Sequence, residues 1–264
     1  MLRDYHALLR ASKGGNSTVS YWIHVLWPWT LVIIAWGILL IASSTNHLSF
    51  LDHGYLLQTS HLPWLLALIV FLPSWQIMTL AMMLPSTLPL LSVIVSANLG
   101  QRSLWLIQAI FILGYALIWT IFALVAFFGD MLIHQLVTRW FWLYEHSWLI
   151  GITVLIIAAI FQFSPFKRYF LKCCQTTCNV DPQSHHQIKP WHFALQYGCY
   201  CVGSCWALML IMFAIGMKNI LYISTLSILI LIEKTIPVGQ PIRHFIGITF
   251  LILATVWLSL ASQV

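Results

Sequence analysis

The chain has 264 residues, 61% of them hydrophobic and only 7% charged. A mean hydropathy of +0.90 lies far above what a soluble core needs, which excludes a soluble enzyme on a single anchor and predicts an integral membrane protein. Twelve Lys and Arg against six Asp and Glu leave a net charge of +6; here that marks loop topology, with membrane lipid as the surrounding and no nucleic-acid partner expected.

A membrane crossing takes roughly 20 apolar residues, and residues 1–264 are expected to form one integral membrane domain. Residues 1–21 read as a short basic segment on the cytoplasmic side, followed by a first span, not a removed signal peptide. Apolar length and polar breaks place seven segments at about 22 to 43, 64 to 97, 104 to 128, 145 to 163, 195 to 217, 219 to 236 and 244 to 262. The expected fold is therefore all-α, a polytopic transmembrane helical bundle of about seven spans, with six possible.

The second segment is too long for one straight span and carries Pro63, Pro73, Pro85 and Pro89. A kink, or a split into a lead-in and a spanning helix, is expected, and the carbonyls these prolines free must find neighbours or line a cavity. The sixth segment is short and closed by Pro237; a crossing is expected there, with re-entry as the alternative. The longest polar stretch, 164 to 194, reads as a cytoplasmic loop containing Cys and His.

Loop charge sets the orientation, since cytoplasmic loops hold an excess of Lys and Arg. With the N-terminus inside, Arg3, Arg10, Lys13, Arg102, Lys167, Arg168, Lys172, Lys189, Lys234 and Arg243 fall on the cytoplasmic side and only Arg139 and Lys218 outside. A cytoplasmic N-terminus and an outer C-terminus follow.

All six cysteines, Cys173, Cys174, Cys178, Cys199, Cys201 and Cys205, lie between 173 and 205. On a cytoplasmic loop and the inner part of the fifth segment they stay reduced, and reduced, clustered thiols point to metal. Cys201 and Cys205 are four apart and share a helix face, which Met209 and Met212 continue, all within roughly 80° at about 100° per residue. Soft sulfur of this kind selects Cu(I), whereas zinc prefers a closed set of four Cys and His ligands. Cys174 and Cys178, with His185, His186 and His192 downstream, form either a capture site or a pair of exposed thiols. Met78, Met82 and Met83, just before Pro85, make a second sulfur cluster that could equally be packing.

The strings WQIMTLAMMLPSTLP at 75 to 89, YCVGSCWALMLIMFAIGMKN at 200 to 219, LIEK at 231 to 234 and SPFKRYFLKCC at 164 to 174 resemble the predicted metal-binding integral membrane protein family, over roughly residues 70 to 262. That family includes the membrane partner of a bacterial tyrosinase, so the resemblance implies copper handling in a bacterial inner (plasma) membrane and a copper-dependent acceptor enzyme. Carried over by position, its sulfur residues fall on Met78, Met82, Met83, Cys174, Cys201, Cys205 and Met209. Two positions depart from its pattern: Phe170 stands four before Cys174 and Ser204 stands before Cys205, where a Cys is expected in each case.

Other polar residues carry weaker signals. Glu233 and Lys234 close an apolar run and are expected to snorkel to water. His47, His53, His61, His134 and His146 are scattered over the outer loops, and Trp27, Trp29, Trp64, Trp75, Trp105, Trp140, Trp142, Trp148, Trp191 and Trp257 read as interfacial anchors. Without a phosphate loop, a nucleophile with its base or a carboxylate pair, ordinary hydrolysis and ATP-driven pumping are disfavoured and no enzymatic activity is expected. The function expected is Cu(I) binding through Cys and Met sulfur and delivery to a cuproenzyme; the alternatives are a non-catalytic structural or assembly subunit and, more weakly, a membrane redox enzyme.

Overall fold

The computed structural model describes residues 15–45, 63–97, 104–140, 142, 145–146, 148–177, 190–215, 219–236 and 240–261, with side chains at these positions except 15–23, 25, 95–97, 176–177, 213–215 and 240–241. Among the described residues there are eight helices of note and no strands: α1 Gly15–Ser44, α2 Trp64–Ala97, α3 Leu104–Arg139, α4 Trp148–Phe163, α5 Pro165–Thr177, α6 Pro190–Ile215, α7 Ile220–Thr235 and α8 Gln240–Ala261. Five of them, α1, α2, α3, α6 and α8, are long and apolar enough to cross a membrane, and the bent pair α4 and α5 makes a sixth candidate. The expected all-α transmembrane bundle is what the chain forms.

The second and third of the expected segments take a different course, and the sixth keeps its expected bounds within a residue. The prolines do not split α2, which runs unbroken through Pro73, Pro85 and Pro89. The third segment continues past 128 to Arg139, since Met131, Leu132, Ile133, Leu136 and Val137 keep it apolar; His134, expected on an outer loop, pairs with Asp130 one turn away on this helix at 3.4 Å. The sixth segment becomes α7, whose 16 residues span about 24 Å at 1.5 Å each, short of a hydrocarbon core of about 30 Å.

Two of the prolines, Pro28 and Pro85, are accommodated by partners on neighbouring helices. Pro85 has no N–H to give the carbonyl of Ala81, and the Trp36 indole of α1 donates to that oxygen at 3.0 Å. Pro28 likewise frees the carbonyl of His24, which accepts from Gln108 Nε2 of α3 at 2.7 Å. The same Gln108 accepts from Trp27 Nε1 at 2.6 Å, and Gln76 of α2 donates to Thr120 of α3 at 2.7 Å. The two freed carbonyls are thus also cross-links, of α2 to α1 and of α1 to α3.

Helix α2 packs on α1, α3 and α7; α6 packs on α3, α4 and α5; α4 packs on α8. Helices α3 and α6 approach closely at Gly114, where an added Cβ would lie 2.9 Å from Cβ of Ala194, as small residues allow in lipid. Trp64, Trp105, Trp140, Trp142 and Trp191 face outward, whereas Trp75 is buried in the core and is a packing residue.

At Ser164 the chain turns by 65° from α4 into α5. Ser164 Oγ accepts from the backbone N–H of Phe166 at 3.1 Å, and Pro165 opens the new helix where a missing N–H is harmless. The stretch expected as a polar loop from 164 therefore begins as a helix. Lys167, Leu171 and Cys174, at spacings of four and three, form its buried face, while Phe166 and Tyr169 point outward.

Candidate metal centre

Helix α6 brings Cys201 and Cys205 of the fifth segment inward. Cys201 is 0% and Cys205 2% exposed, and the Cys205 thiol donates to the Cys201 carbonyl one turn below at 2.8 Å. Met83 of α2 meets them, its Sδ 3.9 Å from Cys205 Sγ. Two ligands each about 2.3 Å from a metal and about 120° apart stand about 4 Å from each other, so this spacing suits two sulfurs of one trigonal ion.

Three further groups close on the thiols. Tyr115 of α3 has its hydroxyl 3.0 Å from Cys201 Sγ. Lys234 of α7 donates from Nζ to the same sulfur at 2.7 Å. Ser204 donates to the Cys201 carbonyl at 2.8 Å and stands 3.9 Å from Cys174 Sγ of α5. The centre is thus enclosed by α2, α3, α5, α6 and α7.

Of the sequence candidates, Met78, Met82, Met83, Cys174, Cys201, Cys205, Met209 and Met212 are all buried in one hydrophobic cluster; Cys178 lies outside the described residues, as do His185 and His186. No disulfide joins the described cysteines. His192 faces outward, as does Cys199. Among the described residues no group of three or more His, Cys, Asp or Glu is placed to hold a metal ion.

The two departures from the family pattern have plain local roles. The Phe170 ring packs against the backbone of α6 at Gly203, where an added Cβ would be 2.8 Å from ring atoms. Ser204, in place of a thiol, spends its hydroxyl proton on the Cys201 carbonyl. Neither position brings sulfur to the centre.

The structure corrects the expectation for Glu233 and Lys234, which do not snorkel. Glu233 is 3% and Lys234 9% exposed. Glu233 Oε2 accepts from Lys167 Nζ of α5 at 2.8 Å, and Lys167 also stands 5.8 Å from the centre of the Phe161 ring. Gln175 holds the end of α7 through the carbonyls of Glu233, Lys234 and Ile236 at 3.4 to 3.5 Å. Burial of Lys167, Lys234 and Arg243 also removes three of the ten cations assigned to cytoplasmic loops, leaving seven against two. Tyr115 was not singled out by sequence; a phenol in mid-span, whose hydroxyl needs a partner when buried, was the available signal.

A family model described as PpoB2, copper chaperone, matches residues 72–257 of the chain. No curated protein and no solved structure matches it.

Proposed function

Because the chain belongs to the PpoB2 copper chaperone family, we propose that it holds Cu(I) on the thiolates of Cys201 and Cys205 with the thioether of Met83 as third ligand, and hands it to a copper-dependent acceptor protein. The observation that carries this is the approach of Met83 Sδ to Cys205 Sγ at 3.9 Å across two helices. A low-coordinate set of soft sulfur favours Cu(I) over harder ions and lets it leave by ligand exchange. Met78, Met82, Met209 and Met212 would supply further thioethers in the same buried cluster, and Cys174 a thiol beside Ser204. Cys178, outside the described residues, remains a candidate partner of Cys174 for capture on the cytoplasmic side.

In this reading copper is cargo, not a catalytic cofactor. The chain resides in a bacterial inner membrane with its N-terminus in the cytoplasm, supported by the loop cations; its C-terminus is outside if α7 completes a crossing. The competing reading is a structural or assembly subunit whose sulfurs only pack, and it is favoured by the absence, among the described residues, of a three-ligand group of His, Cys, Asp or Glu.

Competition with a Cu(I) chelator on the detergent-purified chain separates the two. Wild type is expected to retain one Cu(I), and the Cys201→Ser/Cys205→Ser double variant to lose it while keeping its thermal unfolding midpoint within a few degrees. Failure of wild type to compete, or equal binding by the variant, would make the sulfurs packing residues.

A further inference from the structure

One Cu(I) on two thiolates carries a net charge of −1, and metal-bound cysteines are deprotonated. Both thiols are buried, where an uncompensated charge is expensive. The site therefore needs a cation that is near, buried and not already matched.

Three buried cations lie in this part of the fold, namely Lys167, Lys234 and Arg243. Lys167 is taken by Glu233 at 2.8 Å. Arg243 lies within electrostatic reach of Glu233 and of Arg168. Lys234 differs from Lys167 in making no ion pair with a carboxylate among the described residues, and from Arg243 in its contact, since its Nζ donates to Cys201 Sγ at 2.7 Å. Cys205 and Cys174 are also within its electrostatic reach.

Resting on the copper reading above, we propose that Lys234 is the resident counter-ion of the metal centre, neutralising the anionic complex of one Cu(I) with the thiolates of Cys201 and Cys205. It is a positioning and charge-matching residue, not a ligand, since an ammonium has three donors and no lone pair. Its place on α7, the residue after Glu233, fixes the ammonium from a helix that bears neither thiol. With Lys234 present the loaded centre is neutral, as a metal held among apolar side chains requires.

The charge of the ion tests this directly. A monovalent soft ion, Cu(I) or Ag(I), gives an anionic bis-thiolate, whereas divalent Hg(II) gives a neutral one that needs no counter-ion. Affinities of the full chain in detergent for Cu(I), Ag(I) and Hg(II) are compared for wild type, Lys234→Leu and Lys234→Arg. Lys234→Leu, which brings no new ligand, is expected to weaken Cu(I) and Ag(I) by on the order of 30-fold or more, the usual scale for removing one member of a buried charge pair, and to leave Hg(II) unchanged or tighter. Lys234→Arg keeps the charge and is expected to hold Cu(I) within a few-fold of wild type.

Equal losses for monovalent and divalent ions would mean that Lys234 only shapes the site, and unchanged or tighter Cu(I) binding in Lys234→Leu would mean that it competes with the metal; either overturns the proposal while leaving the copper reading intact. A wild type that binds none of the three ions overturns both. Should Lys234→Leu not fold, Lys234→Gln, neutral but still a donor to Cys201, carries the same comparison.

Discussion

On one side of α7, Glu233 meets Lys167 of α5; on the other, one residue later, Lys234 meets Cys201 of α6. Both cations are buried, and both contacts are short. The first joins two hard groups, an amine nitrogen and a carboxyl oxygen, and fastens the bent helix α5 to the bundle. The second sets a hard cation against a soft sulfur that can take a metal in its place. Adjacent residues on one helix thus separate what holds the fold from what the fold can exchange.

That contrast can be broken by substitution. The largest effect is expected from Lys167→Met, which leaves the Glu233 carboxylate buried without its cation and should lower stability by about 3–5 kcal/mol, read as the unfolding midpoint in detergent. The double variant Lys167→Met/Glu233→Leu is expected to recover most of the loss, because it removes both charges. The Cu(I) stoichiometry of the folded fraction should stay at the wild-type value in the double variant; if it fell there, the two sides of α7 would be one unit and the contrast would fail.

A smaller loss is expected from Trp36→Phe, which takes the indole N–H from the carbonyl that Pro85 leaves open. Interhelical hydrogen bonds in membranes are worth about 0.6 kcal/mol on average and about 1.7 at most, so a destabilisation in that range with unaltered copper affinity is the expected outcome of the same two measurements. The smallest change in stability belongs to Met83→Leu, a volume-conserving swap that usually costs less than about 1.5 kcal/mol. Its Cu(I) affinity should nevertheless fall about tenfold, equivalent to about 1.4 kcal/mol. A Met83→Leu protein that bound copper as tightly as wild type would remove the thioether from the ligand set and leave two thiolates.

Much of this was legible in the sequence. Apolar length sufficed for the bundle, because a span in lipid must satisfy its own backbone and so needs an unbroken apolar run. The i, i+4 spacing put Cys201 and Cys205 on one face, and the prolines announced open carbonyls. What spacing along one helix cannot supply is the partner across the bundle: Met83, Tyr115 and Lys234 come from α2, α3 and α7, and nothing in their local sequence ties them to Cys201. Glu233 and Lys234 were misjudged for the same reason. A charge at the end of an apolar run reads as solvated until Lys167, 66 residues earlier, is seen to fold back beneath it. The short α7 was legible from the apolar run of 219 to 236, and Asn219, which accepts from Leu221 N–H at 2.9 Å, caps its start.

The distance along the chain between Lys167 and Glu233 has a consequence in time. The cation is synthesised 66 residues before its carboxylate, and at about 5–20 residues per second that leaves it without this partner for roughly 3 to 13 seconds. Until α7 emerges, Lys167 lacks the carboxylate that it meets in the folded chain. Cys201 and Lys234 of the metal centre are 33 residues apart, so a nascent chain of 205 to 233 residues has the thiols of Cys201 and Cys205 but not the Lys234 ammonium beside them.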